Sequence, residues 1–291
     1  MRLLRRAGNT AEANLIAKLA LEPQTVHFGV YSRNIRASVR LYFKHVRRGT
    51  VAILSTYDIP HLGCMHTSDT PAQAAAVRTW MRSFAHGIGS RRAVVFLEED
   101  ALITIGCLSR SGLNVRMSEL AYAPRTLGAL PHTVTYLDAG SADGDPAPHR
   151  MASLLRRAGV RFIRGFFLNS SHYDWTNNEL RYGDKVAKAL HRHFVVSTSV
   201  NGRGPLRPHN RGKNGNEILC NPAGRGLGPR PTAATGDRFA DAFMWIGIPG
   251  RSNGQCHPGD PPNATWFPAY ALALAQNANE QLGPRSPSRP Y

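Results

Sequence analysis

Seven short runs of β-branched, aromatic and other apolar residues recur along the chain, at 25–30, 51–57, 93–98, 133–138, 160–168, 193–199 and 241–247. Between them lie segments with apolar residues at helical spacing, at 35–46, 72–87, 115–127, 149–158 and 176–191. A further such segment, 10–21, precedes the first run, and another, 266–282, follows the last. Most of the short runs are continuously apolar rather than alternating, which is how strands read when both faces are buried. Buried strands that alternate with helices specify an α/β fold with a parallel sheet, either a βα barrel or a doubly wound sheet. The 291 residues fit one such unit, expected over 1–282 as a single domain, followed by a disordered tail, GPRSPSRPY, at 283–291. No repeat of fixed period is visible.

The unusual polar residues gather at one end of these strands. Tyr57-Asp58-Ile59-Pro60 follows the second, Glu98-Glu99-Asp100 the third, Asp138-Ala139-Gly140 the fourth and Asn169-Ser170-Ser171 the fifth. Ser199-Val200-Asn201-Gly202 follows the sixth, and Pro249-Gly250-Arg251-Ser252-Asn253-Gly254 comes after the seventh. In a closed barrel all six clusters meet on the C-terminal face, where such folds carry their active sites. Asp100 and Asp138 each end an apolar strand; burial and a like-charged neighbour raise a carboxyl pKa and keep one of a pair protonated as a general acid. The period of two places Glu98 on the face of Asp100, where it would supply the second charge.

The charge sum, 36 − 19 = +17, fits a polyanion partner, but only five of the basic residues are lysines, and the arginines are scattered in ones and twos through every segment. With no zinc-ligand spacing and no helix-turn-helix pattern, the expectation is a solvated basic surface and no nucleic-acid partner. No apolar run reaches the about 18 residues of a membrane span. The basic start, Met1 to Arg6, is not followed by the apolar stretch of an export signal, because Lys18 interrupts it. His61, His66 and His172 show no helical ligand spacing, so neither a metal nor a cofactor is expected. Four cysteines without a Cys-x-x-Cys pair, Cys64, Cys107, Cys220 and Cys256, fit two disulfides and an oxidising compartment.

Over roughly 11–278 the chain resembles glycoside hydrolase family 6, the inverting β-1,4-glucanases and cellobiohydrolases. The resemblance is densest at Cys220-Asn221-Pro222-Ala223-Gly224-Arg225-Gly226-Leu227-Gly228-Pro229-Arg230-Pro231-Thr232, followed by Thr235-Gly236-Asp237, Asp241-Ala242 and Trp245. It implies a distorted βα barrel of seven strands, a secreted monomer, and β-glucan or cello-oligosaccharide as substrate. It pairs Cys64 with Cys107 and Cys220 with Cys256, each bridge worth on the order of 4 kcal/mol in the chain-entropy model. Asp100 takes the place of the acid that protonates the glycosidic oxygen, and Asp138 that of a second cleft carboxylate that stabilises positive charge on the sugar. Tyr57, Asn169, Asn201, Trp245 and Asn253 are the positions expected to meet the sugar. For Trp245, inside an apolar strand, core packing competes with that role, and Trp175 is a further aromatic at the cleft.

Two family acids are replaced. Leu62-Gly63-Cys64 stands for Arg-Asp-Cys, and Asn253 stands for the candidate base; Gly has no side chain and Asn accepts no proton at neutral pH. His27 replaces an aromatic sugar platform, and Ser141 replaces the His after Asp-Ala-Gly. These changes imply an enzyme of reduced activity, with Glu98, Glu99, Asp58 or Asp69 left to relay protons. They leave open a silent glycan-binding protein on the same barrel, or a polyanion-binding one.

Overall fold

The computed structural model describes residues 1–59, 70–144, 146–206 and 219–284. Helices α1 (Arg2–Arg6) and α2 (Thr10–Ala20) lead into β1 (Val26–Gly29), α3 (Ile35–His45), β2 (Ala52–Tyr57), α4 (Pro71–Ile88) and β3 (Ala93–Leu97). Then come α5 (Arg110–Gly128), β4 (Thr133–Asp138), α6 (Pro148–Arg157), β5 (Gly165–Leu168), α7 (Thr176–Leu190), β6 (His193–Ser197), β7 (Ala240–Met244) and α8 (Pro268–Gln276). Short 3-10 turns at Ile103–Cys107 and Val160–Phe162 complete the order.

The seven strands form one sheet in sequence order, and every neighbouring pair is parallel. Parallel strands in sequence order, with a helix in every crossover from β1 to β6, curl the sheet into a half-barrel with the helices outside. β1 and β7 are not paired. Their seam is crossed by side chains: Thr25 Oγ1 donates to Trp245 O at 3.1 Å, and His27 Nε2 lies 3.0 Å from Ile246 O.

Strand alternation divides the core in two. Phe28, Leu54, Val95, Leu97, Leu137, Phe166, Leu168, Phe194 and Val196 pack outward against helix residues such as Val39, Val77, Phe84 and Leu120. Phe96, Tyr136, Phe167, Val195 and Ile246 fill the concave side, with Phe96 edge-on to Phe167 at 5.2 Å. The concave stack is floored by Asp241, which accepts from Tyr136 Oη at 2.7 Å and from Arg164 Nε and Nη2, both at 2.8 Å. The C-terminal ends of the strands, which carry the polar clusters, lie at the opposite end of this concavity from the Asp241 floor.

Helix starts follow local chemistry. Asn34 accepts from Ala37 N at the head of α3, and Thr70 and Gln73 form a reciprocal capping box, with Pro71 next, at the head of α4. Ser109 caps α5 through Gly112 N, so this helix begins at Arg110 rather than at 115 as the apolar spacing suggests. The run 160–168 is not one strand: Gly159 in the left-handed region opens a 3-10 turn, and β5 starts only at Gly165. Among the described residues, no helix is long and apolar enough to cross a membrane.

Candidate active site

β3 delivers three consecutive carboxylates to the open end of the half-barrel, and its turn sorts them. Glu98 and Asp100 both have positive φ, 52° and 66°, so the extended period of two ends at Leu97. Glu98 consequently does not share a face with Asp100. Its carboxylate turns to the β2 end and accepts from Thr56 Oγ1 at 2.6 Å, Asp58 N at 3.0 Å and Ile59 N at 2.9 Å. Glu99 faces the concave side, where Ser55 Oγ donates to it at 2.8 Å and His27 Nδ1 lies 3.4 Å away.

Asp100 is tied to the next two strands. Its backbone N–H donates to Asp138 Oδ2 at 2.7 Å, and Ser171 Oγ donates to its Oδ1 at 2.8 Å. Asp138, buried at the end of β4, also accepts from Gly140 N at 3.2 Å. Burial, then the charges of Asp100 and Glu99, push the Asp138 carboxyl well above the usual carboxylate range. Burial likewise raises Glu99, with His27 and Ser55 opposing and Asp100 adding to it. The Tyr57 hydroxyl is raised by burial and by Asp100, Glu99 and Glu98, which places this 41% exposed ring beside the same carboxylates. Burial and mutual repulsion thus favour a proton shared within this cluster, which is the arrangement acid catalysis needs.

Beneath it, Asp58 is pushed up to about 8 by burial, then by Glu98 and Glu119. In the unfolded chain it titrates near 4, as an ordinary carboxyl does. The folded state therefore binds this proton more tightly, and the group destabilises the fold progressively between about pH 4 and about pH 8. Asp58→Asn is expected to melt with wild type near pH 4 and several degrees above it near pH 8. Thermal melts of both proteins across that range check this, and a gap that does not widen with pH refutes it.

A second buried network braces the wall behind the carboxylates. Ser141 lies within hydrogen-bond distance of Asp143 Oδ1 and Glu179 Oε1, both at 2.6 Å, and Ala142 N donates to both Glu179 oxygens. His172 Nδ1 meets Asp143 Oδ1 at 2.9 Å. Burial pulls the His172 pKa down, but the bond to Asp143 and the charges of Asp143, Asp100 and Asp138 outweigh it and leave it raised. Asp143, Asp174 and Glu179 bring ligand oxygens within 4.8 Å of one another. Those oxygens already accept from Ser141, Ala142 N, Trp175 N and Asn178, and Glu179 lies well above the usual range through burial and its two acidic neighbours.

Relatives decide what this mouth belongs to. The sequence profile described as Glycosyl hydrolases family 6 matches residues 2–278. The chain belongs to glycosyl hydrolase family 6. Endoglucanase A of Cellulomonas fimi is 33% identical over 280 residues, 94% of this chain and 58% of that protein. Endoglucanase 1 of Streptomyces halstedii is 33% identical over 270 residues, 89% of this chain and 80% of that one. The endoglucanase of Mycobacterium tuberculosis, solved with a methyl-cellobiosyl-thio-cellobioside, superposes with a TM-score of 0.82 at 34% identity. That match covers 92% of this chain and 89% of the other. The chain thus spans little more than half of the Cellulomonas fimi protein.

On this family-6 scaffold, the residues singled out in the sequence separate into two groups. Tyr57, Asp100 and Asp138 meet at the mouth. Asn169 and Asn201 are buried braces: Asn169 donates to Asp174 O and Ser197 O, and Asn201 donates to Asp174 O and Thr176 Oγ1. Trp245, expected at the sugar, is 2% exposed, packs with Leu19, Leu227 and Leu274 and donates its ring N–H to Pro229 O at 3.0 Å. Its strand direction carries it out of the cleft and under α8. Trp175 likewise lies against the backbones of Gly204 and Gly283, and residues 285–291 of the expected tail lie outside the described residues.

Asn253 sits exposed on the loop after β7 and reaches Leu219 O at 3.3 Å. Cys220 is bonded to Cys256, which staples the 219–222 turn to that loop. The pairing of Cys64 with Cys107, Gly63, Asp69, His61 and His66 lie outside the described residues, apart from the backbone at Cys107. Ser171, Asp143 and Glu179 were not foreseen as site residues. Ser171 alone had a signal, its place in the polar cluster after the fifth strand.

Proposed function

We propose that this chain hydrolyses β-1,4-linked glucan with inversion and slowly, with Asp100 as the acid. The observation that carries this is the hold on Asp100, between the Ser171 hydroxyl and the Asp138 carboxylate, at the C-terminal end of the half-barrel. In the reaction Asp100 gives its proton to the glycosidic oxygen as that bond breaks, while water attacks the anomeric carbon from the opposite face. Asp138, left charged once the proton shared with Asp100 has gone to the leaving oxygen, stabilises the positive charge that develops on the ring. The proton released by water needs an acceptor, and with Gly63 and Asn253 in place of acids the described residue that faces the cavity is Glu99. Glu98 is committed to the backbone of Asp58 and Ile59. Loss of a positioned proton acceptor costs about 10²- to 10⁴-fold, hence the slow rate. The disulfide supports a place outside the reducing cytoplasm.

The test is cellohexaose incubated with high enzyme concentration and followed by proton NMR of the new reducing ends. Inversion gives the α-anomer first; the β-anomer first would overturn the mechanism. A second reading, a silent glycan-binding protein, is favoured by Gly63 and Asn253 together. Calorimetric binding of cellohexaose without any product would establish it in place of the first.

A further inference from the structure

Ten charges of the net +17 have a common location. Residues 23–57 and 70–97 hold ten Lys and Arg side chains and no Asp or Glu. Folding brings these two stretches together, because α3 packs on α4 and β1 and β3 both flank β2. Nine of the 31 arginines, scattered in sequence, therefore gather on one flank of the molecule. On α3, Arg36, Arg40 and Lys44 recur every fourth residue, all exposed, and border an open groove shared with Asn34, Ala37 and Leu41. The neighbouring acid on α5, Glu119, is fully buried and does not offset them.

We propose that the α3–α4 flank is a docking surface for an anionic, uronate-bearing polysaccharide, separate from the cleft. A neutral glucan gives guanidinium groups no charge to meet, so the flank fits a polyanion. Nine of the ten cations are arginines, whose planar fork pairs with carboxylates in two parallel hydrogen bonds. Side chains four apart on a helix stand about 6 Å apart, on the scale at which a polyuronate repeats its carboxylates. A membrane surface fits poorly, since Leu41 is the one exposed large apolar side chain on α3 and α4. Nucleic acid fits poorly too, with no exposed aromatic ring on either helix for bases to stack on. The choice of polysaccharide over nucleic acid rests on the glucan reading of the cleft, while the basic flank itself does not.

The experiment compares the whole protein with Arg36→Glu/Arg40→Glu/Lys44→Glu. A control, Arg2→Glu/Arg5→Glu/Arg6→Glu on the exposed face of α1, changes the total charge equally. Retention on immobilised polygalacturonate is measured at low and at raised salt, beside duplex DNA and anionic vesicles, with circular dichroism as the check on folding. Retention that falls steeply with salt, and falls at least about tenfold further in the α3 variant but not in the α1 variant, is the expected result. Cellohexaose binding or turnover should be the same in all three proteins, so failure of the cleft reading is visible separately. Equal loss in both variants, no retention at all, or tighter retention on DNA or vesicles than on polygalacturonate would each overturn the proposal.

Discussion

Asp100→Asn lowers cellohexaose turnover by about 10²- to 10⁴-fold and leaves the melting temperature at or above that of wild type. The amide keeps the shape of the carboxyl and still accepts from Ser171, so the hydrogen bond at 2.8 Å survives. What it loses is a group that can take up a proton and hand it to the glycosidic oxygen. It also removes the second-largest cause of the upward shift at Asp138, the charge of Asp100. The Asp138 carboxyl therefore moves back toward the ordinary range, which carbon-13 NMR of the carboxyl groups can follow. Ser171→Ala gives a smaller loss, because it frees Asp100 without removing its proton. Turnover in Asp100→Asn equal to wild type would show that another group is the acid.

Gly165→Ala is the other large effect, and it is on folding rather than chemistry. Gly165 opens β5 and is paired on both sides, with Tyr136 of β4 and His193 of β6. A Cβ there would lie 1.7 Å from His193 O and 2.7 Å from its carbonyl carbon. Both are backbone atoms of a central strand, so no side chain can rotate away, and the β5–β6 ladder must part. The expected cost is more than about 4 kcal/mol, seen as loss of soluble protein or a collapsed urea midpoint. Gly224→Ala is the comparison: its φ of 71° strains an alanine, yet nothing lies within 4 Å, so the cost stays near about 1 kcal/mol. A Gly165→Ala midpoint close to that of Gly224→Ala would contradict the β5–β6 register.

The strand count and parallel order were legible because buried strands leave continuous apolar runs, and six of the seven runs became strands with boundaries shifted by a few residues at most. The seventh, 160–168, misled because an apolar run carries no mark of where a 3-10 turn ends and a strand begins. At the mouth, the residue types of Asp100 and Asp138 were readable, but the face of Glu98 was not. Two non-glycine residues in the left-handed region invert the local alternation, and the tertiary bonds from Thr56 Oγ1, Asp58 N and Ile59 N hold Glu98 there. Trp245 shows the same limit. Whether an aromatic at the end of a strand turns to the cleft or to the core depends on what lies beneath it, here Leu19 and α8 from the two ends of the chain. The basic flank was hidden for a related reason: linear spacing says nothing about which helices become neighbours.

The unpaired seam between β1 and β7 makes the wall a bent ribbon rather than a hoop. In a hoop, hydrogen-bond register fixes the circumference. In a ribbon, the rim widens by turning the Thr25 and His27 side chains, and no ladder bond is broken. β7 is partly guarded, since Phe243 exchanges both backbone bonds with Thr232, whereas β1 has a ladder on one edge alone. In hydrogen exchange β1 accordingly loses protection first among the strands, and the width of the rim fluctuates there while the Asp241 floor stays closed.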